Sequence, residues 1–158
     1  MKFDFTYHNP TRIHFGKDSM SHLEEELSAS GKNVLLVYGK GAIKKHGIYD
    51  KIVSVLNKCN KTVTELEGIK PNPTYSQVLL GAKLVKENEI DLILAVGGGS
   101  VIDCAKAISR KVRGISSSTM KSRRALIPHS AIFSFVFPSP LIPKTSVAKV
   151  TNLSIPYL

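Results

Sequence analysis

Several things are missing from this chain, and each absence narrows what it can be. No apolar run approaches the roughly 20 residues that a membrane-crossing helix needs, and the opening Met1-Lys2-Phe3-Asp4-Phe5-Thr6 has no apolar signal core. These features predict a cytoplasmic protein with no membrane partner. Cysteine is scarce: Cys59 and Cys104 stand far apart, outside any metal or redox motif, and read as two reduced thiols. The five histidines, His8, His14, His22, His46 and His129, show no metal-ligand spacing, and no Ser-His-Asp or Cys-His arrangement can be argued. No catalytic residue and no metal ligand is therefore expected within the chain. Acidic residues are absent from its last third. Up to Ser109 there are 14 Lys or Arg against 12 Asp or Glu; from Arg110 to Leu158 there are 8 basic residues and no acid. The formal charge of +10 thus arises mostly from one segment. Its basic cluster, Lys121 to Arg124, has no interleaved aromatics and no binding motif, so no nucleic-acid partner is expected.

What is present is an ordered alternation of elements. Phe3 to Tyr7 alternates apolar and polar residues, Asn9-Pro10 turns, and Ile13-His14-Phe15 returns, which predicts a β-hairpin ended by Gly16. Met20, Leu23 and Leu27 share one helix face. Val34-Leu35-Leu36-Val37 is a continuous apolar strand of the kind buried on both faces of a parallel sheet. A helix from about Ile48 to Cys59, a strand from Thr62 to Leu66, a helix capped by Thr74 and a strand from Asp91 to Val96 follow. A last helix carries Val101, Ala105 and Ile108. This order predicts an α/β, Rossmann-like parallel sheet with helices on both faces, whose ligands bind outside the carboxyl ends of the strands. The pattern divides at Ser109: 1–109 reads as the α/β domain, and 110–158 as an atypical basic tail. The tail lacks acid and a sustained period, although Ala131 to Phe137 could form a strand.

The residues with most chemical content are Gly97-Gly98-Gly99-Ser100, where a buried strand passes into a helix. Glycines let an anion approach the backbone without meeting a Cβ, and the helix's free N–H groups and positive dipole end favour a phosphate. Ser100 could cap the helix or donate to a phosphate oxygen. A tight turn without ligand is the plainer alternative. Gly39-Lys40-Gly41, after the first parallel strand, is weaker: Lys44 stands where the dinucleotide fingerprint has its third glycine.

Taken together these segments resemble the iron-containing (group III) alcohol dehydrogenases, particularly the butanol dehydrogenase-like branch. The resemblance rests on Asn9-Pro10-Thr11, Val34 to Gly39, Ile43-Lys44-Lys45, Gly47-Ile48-Tyr49-Asp50, Gly68-Ile69-Lys70-Pro71-Asn72-Pro73, and Gly97 to Asp103 with Ala105 to Ile108. It implies the N-terminal nucleotide-binding domain of a dehydroquinate synthase-like fold, in a family that moves hydride between NAD(P) and a primary alcohol or aldehyde such as butanol. By that resemblance Gly97, Gly98, Gly99 and Ser100 bind the pyrophosphate, Asp103 lies close to the cofactor, and Asn72 lies near the adenosine half. NAD-preferring members often have an aspartate where Gly39 stands. Without its charge a ribose 2′-phosphate is not repelled, and Lys40, Lys44 or Lys45 could attract it, which points to NADP or to use of either nucleotide.

The resemblance stops near Ser109. The family's helical C-terminal domain, with one Asp and three His for iron, has no counterpart, so the expectation is a truncated dehydrogenase that is inactive alone and exposes apolar surface through which it associates with itself. A serine-rich, acid-free tail resembles translation in a shifted frame, with a genuine divergent tail as the alternative; the other two frames of the coding DNA decide between them. The competing class is a nucleotide- or phosphate-binding module without catalysis, marked by cofactor affinity without turnover.

Overall fold

The structure is a computed structural model that describes residues 12–15, 19–115, 132–136 and 147–151. Among the described residues the frame is a sheet of six strands in the order β1-β6-β5-β4-β2-β3, formed by Arg12–Phe15, Val147–Thr151, Ile132–Val136, Leu92–Val96, Asn33–Gly39 and Thr62–Ile69 respectively. β2, β3, β4 and β5 run parallel, while β6 is antiparallel to both β5 and β1.

The apolar run of β2 behaves as its composition demands. Val34, Leu36 and Tyr38 point to one face and Leu35 and Val37 to the other, and all five are fully buried. The first face is covered by α1 (His22–Ser28) and α3 (Ile48–Lys58), through Leu23, Leu27, Ile52 and Leu56. The second is covered by α4 (Tyr75–Glu87) and α5 (Gly99–Ile115), through Val78, Ala82, Val85, Ala105 and Ile108. α4 and α5 approach closely at Gly81, where a Cβ would lie 2.3 Å from Ile108 Cδ1. Thr74 caps α4 in a reciprocal box: the Gln77 side chain accepts from the Thr74 amide while the Thr74 side chain accepts from the Gln77 amide.

The sequence expectations meet this frame with some differences. β3 runs three residues past Leu66 to Ile69, because a register shift after Val37 brings Gly39 opposite Ile69. A short helix, α2 (Ala42–Lys45), follows the first glycine turn and buries Ile43; four residues are too few to show a helical period. The second strand of the expected hairpin is present as β1, paired with β6, whereas Phe3 to Tyr7 lies outside the described residues. α5 continues through residue 109 to Ile115. β5 falls inside the Ala131–Phe137 stretch, and β6, which no periodicity signalled, closes against it.

Candidate nucleotide site

β2 and β4 are neighbours, in register from Val34 opposite Leu92 to Tyr38 opposite Val96. Gly39 and Gly97 therefore leave the sheet side by side. From β2 the chain crosses one face by α3 to reach β3; from β4 it crosses the opposite face by α5 to reach β5 on the other side. Adjacent strands whose connections part in this way leave a crevice at their carboxyl ends, the place where open α/β sheets bind ligands.

The β4 turn is shaped by its glycines unequally. Gly97 has φ +151°, and a Cβ there would lie 2.9 Å from Val101 Cγ2, so the fold itself demands glycine. Gly98 and Gly99 are exposed, with nothing within 4 Å of an added Cβ. The Gly98 carbonyl accepts from the Val101 and Ile102 amides at 3.1 and 3.3 Å, which makes Gly98 the N-cap of α5. Ser100 is thus not the cap; it sits in the first turn, half-buried, and its hydroxyl has no partner among the described residues. The amides of Gly99 and Ser100 belong to the set that a helix start leaves without intrahelical acceptors. Asp103 is exposed three residues on, on the face that Ser100 shares.

The β2 turn differs. Gly39 is half-buried, and a Cβ there would make ordinary contacts, 3.6 Å to the Ile69 carbonyl oxygen and 3.9 Å to Val101 Cγ2. Lys40 is exposed, and Gly41, at φ +111°, turns the chain into α2. Asn72 is also exposed and left-handed, at φ +57°, in the loop after β3. Because Ile69 pairs with Gly39, that loop lies at the same sheet edge, on the side of Gly39 away from Gly97.

Beside the β2 turn lies a polar cluster that sequence reasoning missed. The Tyr38 hydroxyl directs its one proton chiefly to Glu65 Oε2 at 2.5 Å, with Glu67 Oε2 also in reach at 3.1 Å, and Tyr49 donates to Glu65 Oε1 at 2.6 Å. Lys44 Nζ lies 3.1 Å from Glu67 Oε2 and 5.3 and 5.2 Å from the Tyr38 and Tyr49 ring centres. Burial, with the two carboxylates it donates to, pushes the Tyr38 phenol well above its usual range. The hydrogen bond from Lys44, with that from Tyr38, holds Glu67 below the ordinary carboxylate value. The available signal was Glu65 and Glu67, two apart on a strand and so on one face. Of the lysines considered for a 2′-phosphate, Lys44 is already engaged.

At the opposite end of the domain, Glu26 is buried and receives Arg12 Nη1 at 2.9 Å, with His14 Nε2 at 3.2 Å. Burial raises its pKa, but the bonds from His14 and Arg12 outweigh that and leave it below 4.5. The His14 and His22 rings stack at 4.2 Å. Cys104 is buried, which pushes its thiol pKa up, and both cysteines are free. Among the described residues no three His, Cys, Asp or Glu side chains come together to hold a metal ion, so these residues do not fit an iron site. No helix among them is long and apolar enough to cross a membrane.

Residues 10–139 match the family model for iron-containing alcohol dehydrogenase. Over 106 residues the chain is 56% identical to a probable NADH-dependent butanol dehydrogenase 1 of Bacillus subtilis, covering 67% of this chain and 27% of that protein. It is 42% identical over 106 residues to an NADPH-dependent aldehyde reductase, YqhD, of Escherichia coli, with the same 67% and 27% coverage. The crystal structure of NADH-dependent butanol dehydrogenase A from Thermotoga maritima superposes with a TM-score of 0.63 at 41% identity, over 67% of this chain and 27% of that one. The chain thus spans about a quarter of the length of the curated relatives it matches. On its family match, its relatives and its fold, the chain belongs to the iron-containing alcohol dehydrogenases.

Proposed function

We propose that the crevice between the two glycine turns binds a nicotinamide dinucleotide, for hydride transfer between NAD(P) and a primary alcohol or aldehyde such as butanol. The observation that carries this reading is the switch point itself. Gly97-Gly98-Gly99 opens a 17-residue helix beside the Gly39-Lys40-Gly41 turn, at the carboxyl edge of a parallel sheet. In this reading the Gly99 and Ser100 amides and the Ser100 hydroxyl face the pyrophosphate, with Asp103 close to the cofactor. Gly39, Lys40 and Asn72 border the adenosine half. Relatives named for NADH and for NADPH both match the chain. No carboxylate stands at Gly39 and Lys40 does, which supports acceptance of either nucleotide.

The family reaction draws on a Lewis acid to polarise the substrate oxygen, and the described residues do not gather ligands for one. The chain alone is therefore proposed to bind cofactor without turning over alcohol. Calorimetric titration of the folded chain with NAD and with NADP tests the first part, saturable binding being expected. A cooperative thermal melt without binding of either nucleotide sinks it. Alcohol oxidation by the pure chain, supplied with iron and NAD(P), sinks the second part.

A further inference from the structure

We infer that Glu67 sets the chain's discrimination between NADP and NAD, by holding the Lys44 ammonium in an ion pair beside the β2 turn. The inference rests on the nucleotide reading above and adds a specificity-determining residue to it. α2, which carries Lys44, starts directly after Gly41, and Glu67 lies two residues before Ile69, the partner of Gly39. The pair therefore flanks the turn that borders the proposed adenosine half.

Lys44 is seated on two rings and one carboxylate. Its ammonium sits over the rings of Tyr38, which is fully buried, and Tyr49, which is half-buried, so the surface beneath it is fixed by the core. The Glu67 Oε2 that receives Lys44 also lies 3.1 Å from the Tyr38 hydroxyl, which places the carboxylate at the edge of the same rings. Glu65, held by Tyr38 and Tyr49, adds a second carboxylate. The cluster thus sets one cation against two carboxylates beside the turn. A ribose 2′-phosphate arriving there, with a charge of about −1.5 to −2, meets a lysine already paired with Glu67 and a second carboxylate, Glu65, beside that pair. The Lys44 and Glu67 side chains are 48% and 66% exposed, and such surface pairs are weak. Glu67 therefore competes with the phosphate for Lys44 without excluding it. Lys44 and Glu67 are positioning groups for this choice; neither is required by a nucleotide that lacks the 2′-phosphate.

Dissociation constants for NADP and NAD, measured by calorimetry on the folded wild-type chain and its variants, decide the matter. Glu67→Gln keeps the Tyr38 contact in shape but removes the charge. It is expected to tighten NADP by about fivefold, the scale of one exposed charge pair, and to leave NAD within about twofold. Glu67→Asp is expected to return the NADP-to-NAD ratio towards wild type. Lys44→Met in the Glu67→Gln background is expected to abolish the gain. An unchanged ratio in Glu67→Gln, or an equal shift for both nucleotides, overturns the inference while leaving the nucleotide reading intact. A folded wild-type chain that binds neither nucleotide overturns that reading and this inference with it.

Discussion

The turn after β4 is almost bare backbone: Gly97, Gly98 and Gly99 feed straight into a helix of 17 residues. The turn after β2 carries Lys40, feeds a helix of four residues, and is flanked by the Lys44–Glu67 pair on its tyrosine platform. The two leave the sheet side by side, yet they offer different chemistry. Backbone amides at a helix start recognise any phosphate that approaches closely. Charged side chains distinguish a ligand with one more phosphate from a ligand without it. Under the proposed function, common recognition falls to β4 and its helix, and discrimination falls to β2.

That division can be broken or sharpened by substitution, in descending order of expected effect on nucleotide affinity. Gly97→Ala places a Cβ against Val101 at an unfavourable φ; a destabilisation of about 1–3 kcal/mol is expected in a denaturant melt, with binding of both nucleotides lost. Gly99→Ala has open space around the new Cβ. Its stability should stay within about 0.5 kcal/mol of wild type, as for a surface change, while affinity for both nucleotides falls together in calorimetry. Retained affinity there would show that the β4 turn is only structural. Lys40→Glu puts a carboxylate beside Gly39 and is expected to weaken NADP by about fivefold with little change for NAD; an equal loss for both would erase the distinction between the turns.

The smallest effect on binding belongs to Glu26→Gln, far from both turns. Glu26 is held below 4.5 by His14 and Arg12 against its own burial, so its contribution to stability is complete above pH 4.5 and is lost as pH falls through its lowered folded value. Thermal melts between pH 3 and 7 should show the variant less stable near neutrality, with a flatter acid limb and unchanged nucleotide affinity at pH 7. An acid limb as steep as wild type would assign the pH dependence to other carboxylates.

The regular elements between residues 33 and 109 were legible because burial on both faces forces a recognisable pattern. Val34 to Val37 is apolar without interruption, and Thr74 ahead of a helical period marks a helix start. Gly97 to Ser100 was legible for another reason: consecutive glycines between a buried strand and a helix mark a turn that needs a backbone conformation or a close approach that a Cβ would bar. Less could be read where the reason for a residue lies across the sheet. The length of β3 depends on a register shift opposite Gly39, and α2 is held by the burial of Ile43 more than by any period of its own. The assignment of Ser100 as a possible cap gave way to Gly98, because which carbonyl accepts the first helical bonds is decided by how the turn closes.

By itself, then, the amino-acid sequence determined the α/β class, the strands that lie in the interior, and the two glycine turns as the chemically distinctive points, all consequences of local composition and period. Only the tertiary structure decided that β2 and β4 are neighbours with connections that part, which turns two separate loops into one crevice. It also decided that Lys44 is spent on Glu67 and the two tyrosine rings while Lys40 stays exposed. Glu67 and Lys44 are 23 positions apart in the chain, and no periodicity spans such a distance; strand pairing brings them within reach, and with them the charge that a nucleotide would meet.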